Sequence, residues 1–281
     1  MLRTLKLILA YDGTEFSGWQ RQPGRRTVQE VVESALRPLT GEPVAVTASG
    51  RTDAGVHALG QVAHFHTIAR HPPEVFLKAL NATLPPDVRV VWAEEAPQSF
   101  HATLDAQSKR YRYVIDNGPF ADPFLRRTAW HLFRPLDAPR MNRAVQALRG
   151  RHDFRSFETN WPNRMSSVRT ILDVQVRRVD HRVELEVEAD GFLYNMVRSI
   201  AGTAVLVGLG DRPETFVAEV LHAQDRRLAG PTAPPQGLFL LQVRYGLRDR
   251  VARWAATANP QADSYHHPRS QTQHESVPIR R

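Results

Sequence analysis

The run Gly50-Arg51-Thr52-Asp53-Ala54-Gly55-Val56-His57 concentrates reactive chemistry in eight residues. One carboxylate, Asp53, stands among small residues with Arg51 close by. Gly50 and Gly55 bracket it, so the backbone can turn sharply and approach a ligand closely. A guanidinium near a carboxylate favours its charged form. An ionised, immobilised Asp can serve as nucleophile or general base. The same letters also suit an ordinary turn, with the Asp side chain bonding its own backbone ahead of Ala-Gly.

The elements that must position this loop follow from the pattern of apolar residues. Thr4 to Tyr11 reads as a strand, followed by a glycine-punctuated loop from Asp12 to Arg26. Thr27-Val28-Gln29-Glu30 reads as a capping box opening a helix. Val28, Val31, Val32, Ala35, Leu36 and Leu39 give that helix one apolar face, and Gly41 and Pro43 end it. Val44 to Ser49 and Gln61 to Thr67 read as strands on either side of the Asp53 loop. A helix from Pro72 or Pro73 to Leu80 and a strand from Val88 to Glu94 complete a β-α-β-β-α-β order, the ferredoxin-like split βαβ.

The remainder partly repeats this order. Strands are expected at 108–117, 168–176, 182–189 and 237–245, and helices at 137–148, 192–209 and 213–224. In the first of these strands Tyr111 and Tyr113 share one face, with Arg110 and Arg112 on the other. The fold class is therefore α/β (α+β): two ferredoxin-like, RRM-like halves with antiparallel sheets forming a central cleft, the default place for a ligand. The division expected is 1–105, carrying the Asp53 loop, then 106–247, then a basic tail over 248–281 that reads as disordered.

Bulk composition narrows the class. All 281 residues lack cysteine, which excludes disulfides and thiolate catalysis. No apolar run approaches the roughly 20 residues of a membrane span. The apolar stretch at the start, Leu7 to Ala10, is too short for a secretory signal. A cytoplasmic protein without membrane contact is expected. The formal charge is +8, and all but three of the 37 basic residues are arginine. A GC-rich genome explains the arginine preference, whereas the positive sign favours a polyanionic partner.

Five segments read together carry a resemblance. They are Tyr11-Asp12-Gly13 with Gly18-Trp19-Gln20-Arg21-Gln22; Gly50 to His57 continuing through Gly60-Gln61-Val62; Lys109-Arg110-Tyr111-Arg112-Tyr113; Tyr194-Asn195-Met196-Val197-Arg198; and Gly230 to Leu238. In this order, over about residues 4 to 246, the chain resembles the tRNA pseudouridine synthase A family. The resemblance implies the pseudouridine synthase fold and conversion of uridine to pseudouridine at tRNA positions 38, 39 and 40 in the anticodon stem-loop. It also implies no cofactor, no metal and a homodimer. The family's nucleophilic aspartate falls on Asp53, its active-site tyrosine on Tyr111 and its active-site arginine on Arg198. After Phe100-His101-Ala102 the family usually carries arginine, and here Thr103 stands.

The implied chemistry suits these residue types. A carboxylate can add covalently to sugar or base, or take a sugar proton to give a glycal-like intermediate. Either route places the work on Asp53. Arg198 is the candidate ion-pair partner of Asp53, or else snorkels from an apolar helix to solvent. Tyr111 offers a face for stacking a turned-out uracil, or else is a core tyrosine. Trp19, Gln20 and Arg21 on their loop suit RNA contacts, although Trp19 could simply pin the loop. Arg51, Thr52 and His57 are further substrate-contact candidates, and Arg25 and Arg26 could bind phosphate. His64 and His66 share a strand face without an obvious third metal ligand. A non-catalytic RNA binder would need an RNP aromatic run, and a phosphate-handling enzyme would need a P-loop or a carboxylate cluster; neither is present.

Overall fold

The computed structural model describes residues 1–159 and 166–246. The tail expected over 248–281 lies outside the described residues.

Leu5, Leu7 and Leu9 alternate along β1 (Arg3–Tyr11) and are fully buried. The chain then loops into α1 (Val28–Thr40), which buries Val28, Val32 and Leu36 and ends at Gly41. The capping box does not form. The Thr27 hydroxyl is buried without a partner, because the preceding loop reaches the helix start first. The Val28 amide donates to the Gly18 carbonyl at 3.2 Å, and the Gln29 amide to the Trp19 carbonyl at 3.0 Å.

After α1 comes a strand shorter than expected, β2 (Thr47–Ala48). Pro43 has no amide to give, and both backbone groups of Val46 are taken by α1. Its N–H donates to Glu33 at 3.0 Å, and its carbonyl accepts from Gln29 at 3.2 Å. Next are β3 (His57–Thr67), α2 (Pro73–Thr83) and β4 (Val88–Ala96), in the expected order.

The second half runs β5 (Ser108–Asp116), β6 (Trp130–His131), α3 (Ala138–Val145), β7 (Gly150–Asp153), β8 (Val168–Val179), β9 (Arg182–Ala189), α4 (Met196–Gly208), α5 (Phe216–Ala223) and β10 (Leu238–Arg244). The short β6 and β7 carry no readable alternation. Helix α4 starts four residues later than its apolar run, because Asn195 takes a left-handed conformation with φ 60°. Helix α2 packs on β4, α3 on β8 and α4, and α4 on β5.

The strands of both halves join one mixed sheet in the order β4-β1-β3-β10-β5-β9-β8-β7, with β2 on β3 and β6 on β5. All pairings are antiparallel except β3 with β10 and β5 with β6. Because β2 covers only Ala63 and His64 of β3, the start of that edge is open. Strand β10 occupies it, with Phe239 opposite His57 and Leu240 opposite Ala58. The join between the halves thus lies immediately after the Asp53 loop.

The two faces of β5 differ as their alternation requires. Tyr111 and Tyr113 are buried on one. Arg110 and Arg112 lie on the other, opposite Glu188 and Glu186 of β9. They are not a freely solvated face, since each is bound to carboxylates that are themselves almost fully buried.

Candidate active site

The underside of the Asp53 loop is held by a buried chain of hydrogen bonds. The Ser49 hydroxyl donates to Gln61 Oε1 at 2.7 Å, and Gln61 Nε2 donates to the Gly50 carbonyl at 2.8 Å. The same amide lies 3.4 Å from the Tyr11 hydroxyl, which meets Thr52 Oγ1 at 2.9 Å. The segment leading into Asp53 is therefore tied to β1 and β3. The Trp19 amide donates to the Thr52 carbonyl at 3.0 Å, and the Val56 amide closes the turn onto the Asp53 carbonyl. Gly55 makes that turn with φ 77°, against Pro235. Satisfied buried networks of this kind hold one geometry.

Asp53 itself is half-buried, with no hydrogen bond to its own turn. Among the described residues its short-range charged partner is Arg198, whose Nη1 lies 3.9 Å from Asp53 Oδ2. Arg198 stands in the first turn of α4. Its Nε donates to the Ala233 carbonyl at 2.7 Å, and Nη1 donates to Asn195 Oδ1 at 2.7 Å. The segment 230–234 is strapped to α4. A Cβ at Gly202 would overlap the Pro231 carbonyl, the Gly230 amide donates to Thr203 Oγ1 at 2.9 Å, and the Ala233 amide donates to the Arg198 carbonyl. The Tyr113 hydroxyl donates to the Pro234 carbonyl at 2.7 Å.

Tyr111 is 8 % exposed, with its ring edge-on to Phe192 at 5.0 Å. Its neighbours Tyr11 and Tyr113 both have hydroxyl partners. The Tyr111 hydroxyl has none among the described residues. The hydroxyl is thus uncommitted within the described structure, and it lies within electrostatic reach of Asp53.

The ionisation pattern differs from the sequence expectation. Arg51 is exposed and makes no ion pair with Asp53. Burial raises the Asp53 pKa above the ordinary aspartate value, and the opposing pull of Arg198 does not cancel it. Burial also pushes the Tyr111 hydroxyl well up, with Tyr11 and Asp53 adding to it. Tyr11 is pushed up to about 12 by burial, against its hydrogen bonds to Thr52 and Gln61.

Asp53, Tyr111 and Arg198 are thus brought together, from the loop before β3, from β5 and from α4. The other candidates divide. Thr52 is buried in the Tyr11 network. Trp19 is 2 % exposed and packs against Tyr11 with ring centres 6.2 Å apart, so it pins its loop rather than facing a ligand. His57 is 2 % exposed: Nδ1 accepts from the Gly13 amide at 3.1 Å and Nε2 donates to the Gln236 carbonyl at 3.1 Å. Asp12 Oδ1 also stands 3.2 Å from Nδ1, and burial lowers the His57 pKa against the pull of that carboxylate.

Gln20 is bonded to Gln29 at 2.8 Å. Arg21 is exposed, with Glu33 3.6 Å away. Both line an open cavity of about 920 Å³ with Gln22, Glu30 and Val44, which none of Asp53, Tyr111 or Arg198 lines. Arg26, a phosphate candidate, is instead bidentate on Asp87 at 2.8 and 3.0 Å. Thr103 donates to the Ala48 carbonyl at 2.7 Å, tying its segment to the strand that leads into the Asp53 loop.

Sequence reading gave no role to Gln61, Tyr11 or Asn195. Gln61 carried a visible signal, an amide on a strand of buried apolar residues. Asn195 carried one only in hindsight of its backbone, as the residue just ahead of Met196-Val197-Arg198.

The sequence pattern of the tRNA pseudouridine synthase family matches residues 7–105 and 144–246. The chain is 44 % identical over 244 residues to tRNA pseudouridine synthase A of Thermoanaerobacter sp. (strain X514), covering 87 % of this chain and 100 % of that one. It is 46 % identical, with the same coverage, to tRNA pseudouridine synthase A of Brevibacillus brevis and of Geotalea uraniireducens. Among solved structures, the archaeal box H/ACA sRNP Nop10-Cbf5 complex matches at 12 % identity and TM-score 0.33, over 80 % of this chain and 60 % of that one.

Proposed function

The chain belongs to the tRNA pseudouridine synthase family, an isomerase acting on tRNA, and from that premise we propose that it acts on uridines 38, 39 and 40 of the anticodon stem-loop with Asp53 as the nucleophile. The observation that carries the site is a contrast in commitment. Around Asp53 the hydroxyls of Tyr11, Thr52 and Tyr113 are spent on the framework, while among the described residues the Asp53 carboxylate and the Tyr111 hydroxyl accept or donate no such bond.

The reaction breaks the bond from uracil N1 to ribose C1′, turns the base and joins C5 to the same C1′. N1 gains a proton and the C5 proton leaves to solvent, so nothing is consumed and no cofactor is called for. The target nucleotide must leave its stack to reach a carboxylate held in a loop. Asp53 acts at the sugar or the base, or takes a sugar proton, as its ionised form allows. Tyr111 faces the base with its ring and offers its free hydroxyl to a polar edge. Arg198 offsets the burial that disfavours ionised Asp53. Arg51, exposed on the same loop, and Arg21 and Gln20 beyond it are the proposed contacts to tRNA. The described helices include none long and apolar enough to cross a membrane, in keeping with a proposed cytoplasmic site of action. A homodimer is proposed on the family resemblance alone.

The test is release of tritium from tRNA labelled at uracil C5, run on tRNAs that carry uridine at only one of positions 38, 39 and 40. The wild-type protein releases label from each. Asp53→Asn binds tRNA and releases label slower by on the order of 10⁴-fold. Label released only from uridines outside the anticodon arm would refute the positional assignment, and an active Asp53→Asn would refute the nucleophile.

A further inference from the structure

The guanidinium of Arg198 is gripped at two points, and only one of them is a side chain. Asn195 Oδ1 accepts from Nη1 at 2.7 Å, and Asn195 Nδ2 donates to Thr159 Oγ1 at 2.8 Å. Both ends of the amide are used, so its orientation is set by chemistry: the acceptor must face the cation. Asn195 is also the N-cap residue of α4, yet its side chain makes no bond to the helix amides. The usual reason for an Asn at this place is absent. Its backbone is left-handed, with φ 60° and ψ 8°. Asparagine enters this region more readily than other non-glycine residues, so backbone and side chain each offer a reason for it here.

We propose that Asn195 is a positioning residue, whose left-handed backbone delivers an amide oxygen to Nη1 of Arg198 and so aims the guanidinium at Asp53. The same Nη1 carries the 3.9 Å approach to Asp53 Oδ2. The Ala233 carbonyl holds Nε from the other side. Without the amide the guanidinium keeps one hold and swings about it. This inference rests on the assignment of Asp53 as the acting carboxylate. The groups facing Asp53 are Arg198 from α4 and Tyr111 from β5, with Tyr11 of β1 behind Tyr111. Arg51 on its own loop makes no pair with it. Arg198 is thus the cation whose placement sets how readily Asp53 ionises.

Glycine separates the two roles that Asn195 could have. A residue kept only for its backbone is replaced by Asn195→Gly without loss, since glycine adopts positive φ freely and is a tolerated N-cap. The experiment measures single-turnover tritium release against pH on the full-length wild-type, Asn195→Gly, Asn195→Asp and Asp53→Asn proteins, with thermal melting of each. The expected result for Asn195→Gly is melting at or above the wild-type temperature, a rate lower by roughly 10- to 100-fold, tRNA binding within about threefold, and an acid limb moved to higher pH. Asn195→Asp keeps an acceptor but sets a second carboxylate on the guanidinium, so its acid limb moves up as well, which tests the idea should the glycine variant fold poorly. Wild-type rate and acid limb in a folded Asn195→Gly, or an unmoved limb in Asn195→Asp, overturns the proposal. An active Asp53→Asn overturns the underlying assignment instead, so the two failures are told apart.

Discussion

Ion pairs stand on both faces of strand β5, and they are built to opposite designs. On the outer face Arg112 meets Glu186 at 2.7 Å and Arg110 meets Glu188 at 2.7 Å. Arg177 and Arg244 add further contacts to Glu184 and Glu188. On the inner face, beside Tyr111, the guanidinium of Arg198 stops 3.9 Å from Asp53. Burial pushes carboxylate pKa values up on both faces. On the outer face the several arginines outweigh it, and Glu186 and Glu188 end below the ordinary glutamate value. On the inner face one distant arginine does not, and Asp53 ends above the aspartate value. A saturated pair holds a sheet together. An unsaturated one leaves a carboxylate with bonding capacity for a substrate.

The sharpest way to break this comparison is to remove one arginine from each face. Arg198→Ala should lower the rate of tritium release by about 10²–10³-fold, the range seen when a preorganised charge partner is lost. It should also move the acid limb to higher pH, because the opposing pull on Asp53 is gone. Arg112→Ala should leave activity within about threefold while lowering stability by about 1–3 kcal/mol, since it strands nearly buried carboxylates and is itself partly exposed. Equal activity losses in the two variants would dissolve the distinction.

A smaller effect tests the signs by thermal melting across pH. Glu186 has a lowered folded pKa, so its contribution is present above the ordinary glutamate range and is lost as pH falls through the folded value. Asp53 has a raised folded pKa, so its contribution is present below the ordinary aspartate value and is lost as pH rises through the folded value. At pH 7, therefore, Glu186→Gln should lower the melting temperature and Asp53→Asn should raise it. Two shifts of the same sign would contradict the contrast.

The smallest expected effect compares two adjacent inward tyrosines. Tyr113→Phe loses a bond to the Pro234 carbonyl and should cost about 1 kcal/mol in denaturant titration. Tyr111→Phe has no hydroxyl bond to lose, so its stability should stay within about 0.5 kcal/mol, while its tritium release falls at least about tenfold. A stability cost in Tyr111→Phe as large as that in Tyr113→Phe would mean that its hydroxyl is structural after all.

Much of the architecture was legible in advance because burial imposes a period. Leu5, Leu7 and Leu9 announce a strand, and Val28, Val32 and Leu36 announce a helix face. The alternation of Tyr111 and Tyr113 with Arg110 and Arg112 foretold that β5 has two unlike faces. What failed was competition between partners distant in sequence. Thr27 lost its capping role to carbonyls of residues 18 and 19, and Val46 gave its strand bonds to side chains of α1. Trp19 and His57 are open readings because an aromatic or imidazole on a loop can be either ligand contact or framework, and the structure packs Trp19 on Tyr11 and bonds His57 to the Gln236 carbonyl.

By itself the sequence determined which side chains were available for chemistry, since a carboxylate, a phenol and a guanidinium are properties of residue type. It determined the strands and helices that carry them, since alternation and 3.6-residue spacing follow from local geometry. Tertiary structure alone decided which guanidinium faces Asp53, that it stands at 3.9 Å rather than in a closed pair, and that the carboxylate is harder to ionise than usual. Those are through-space quantities, set by the seating of β10 on the edge of β3, by the strap over α4 and by the partial burial of Asp53. No local pattern encodes the distance between residues 145 positions apart.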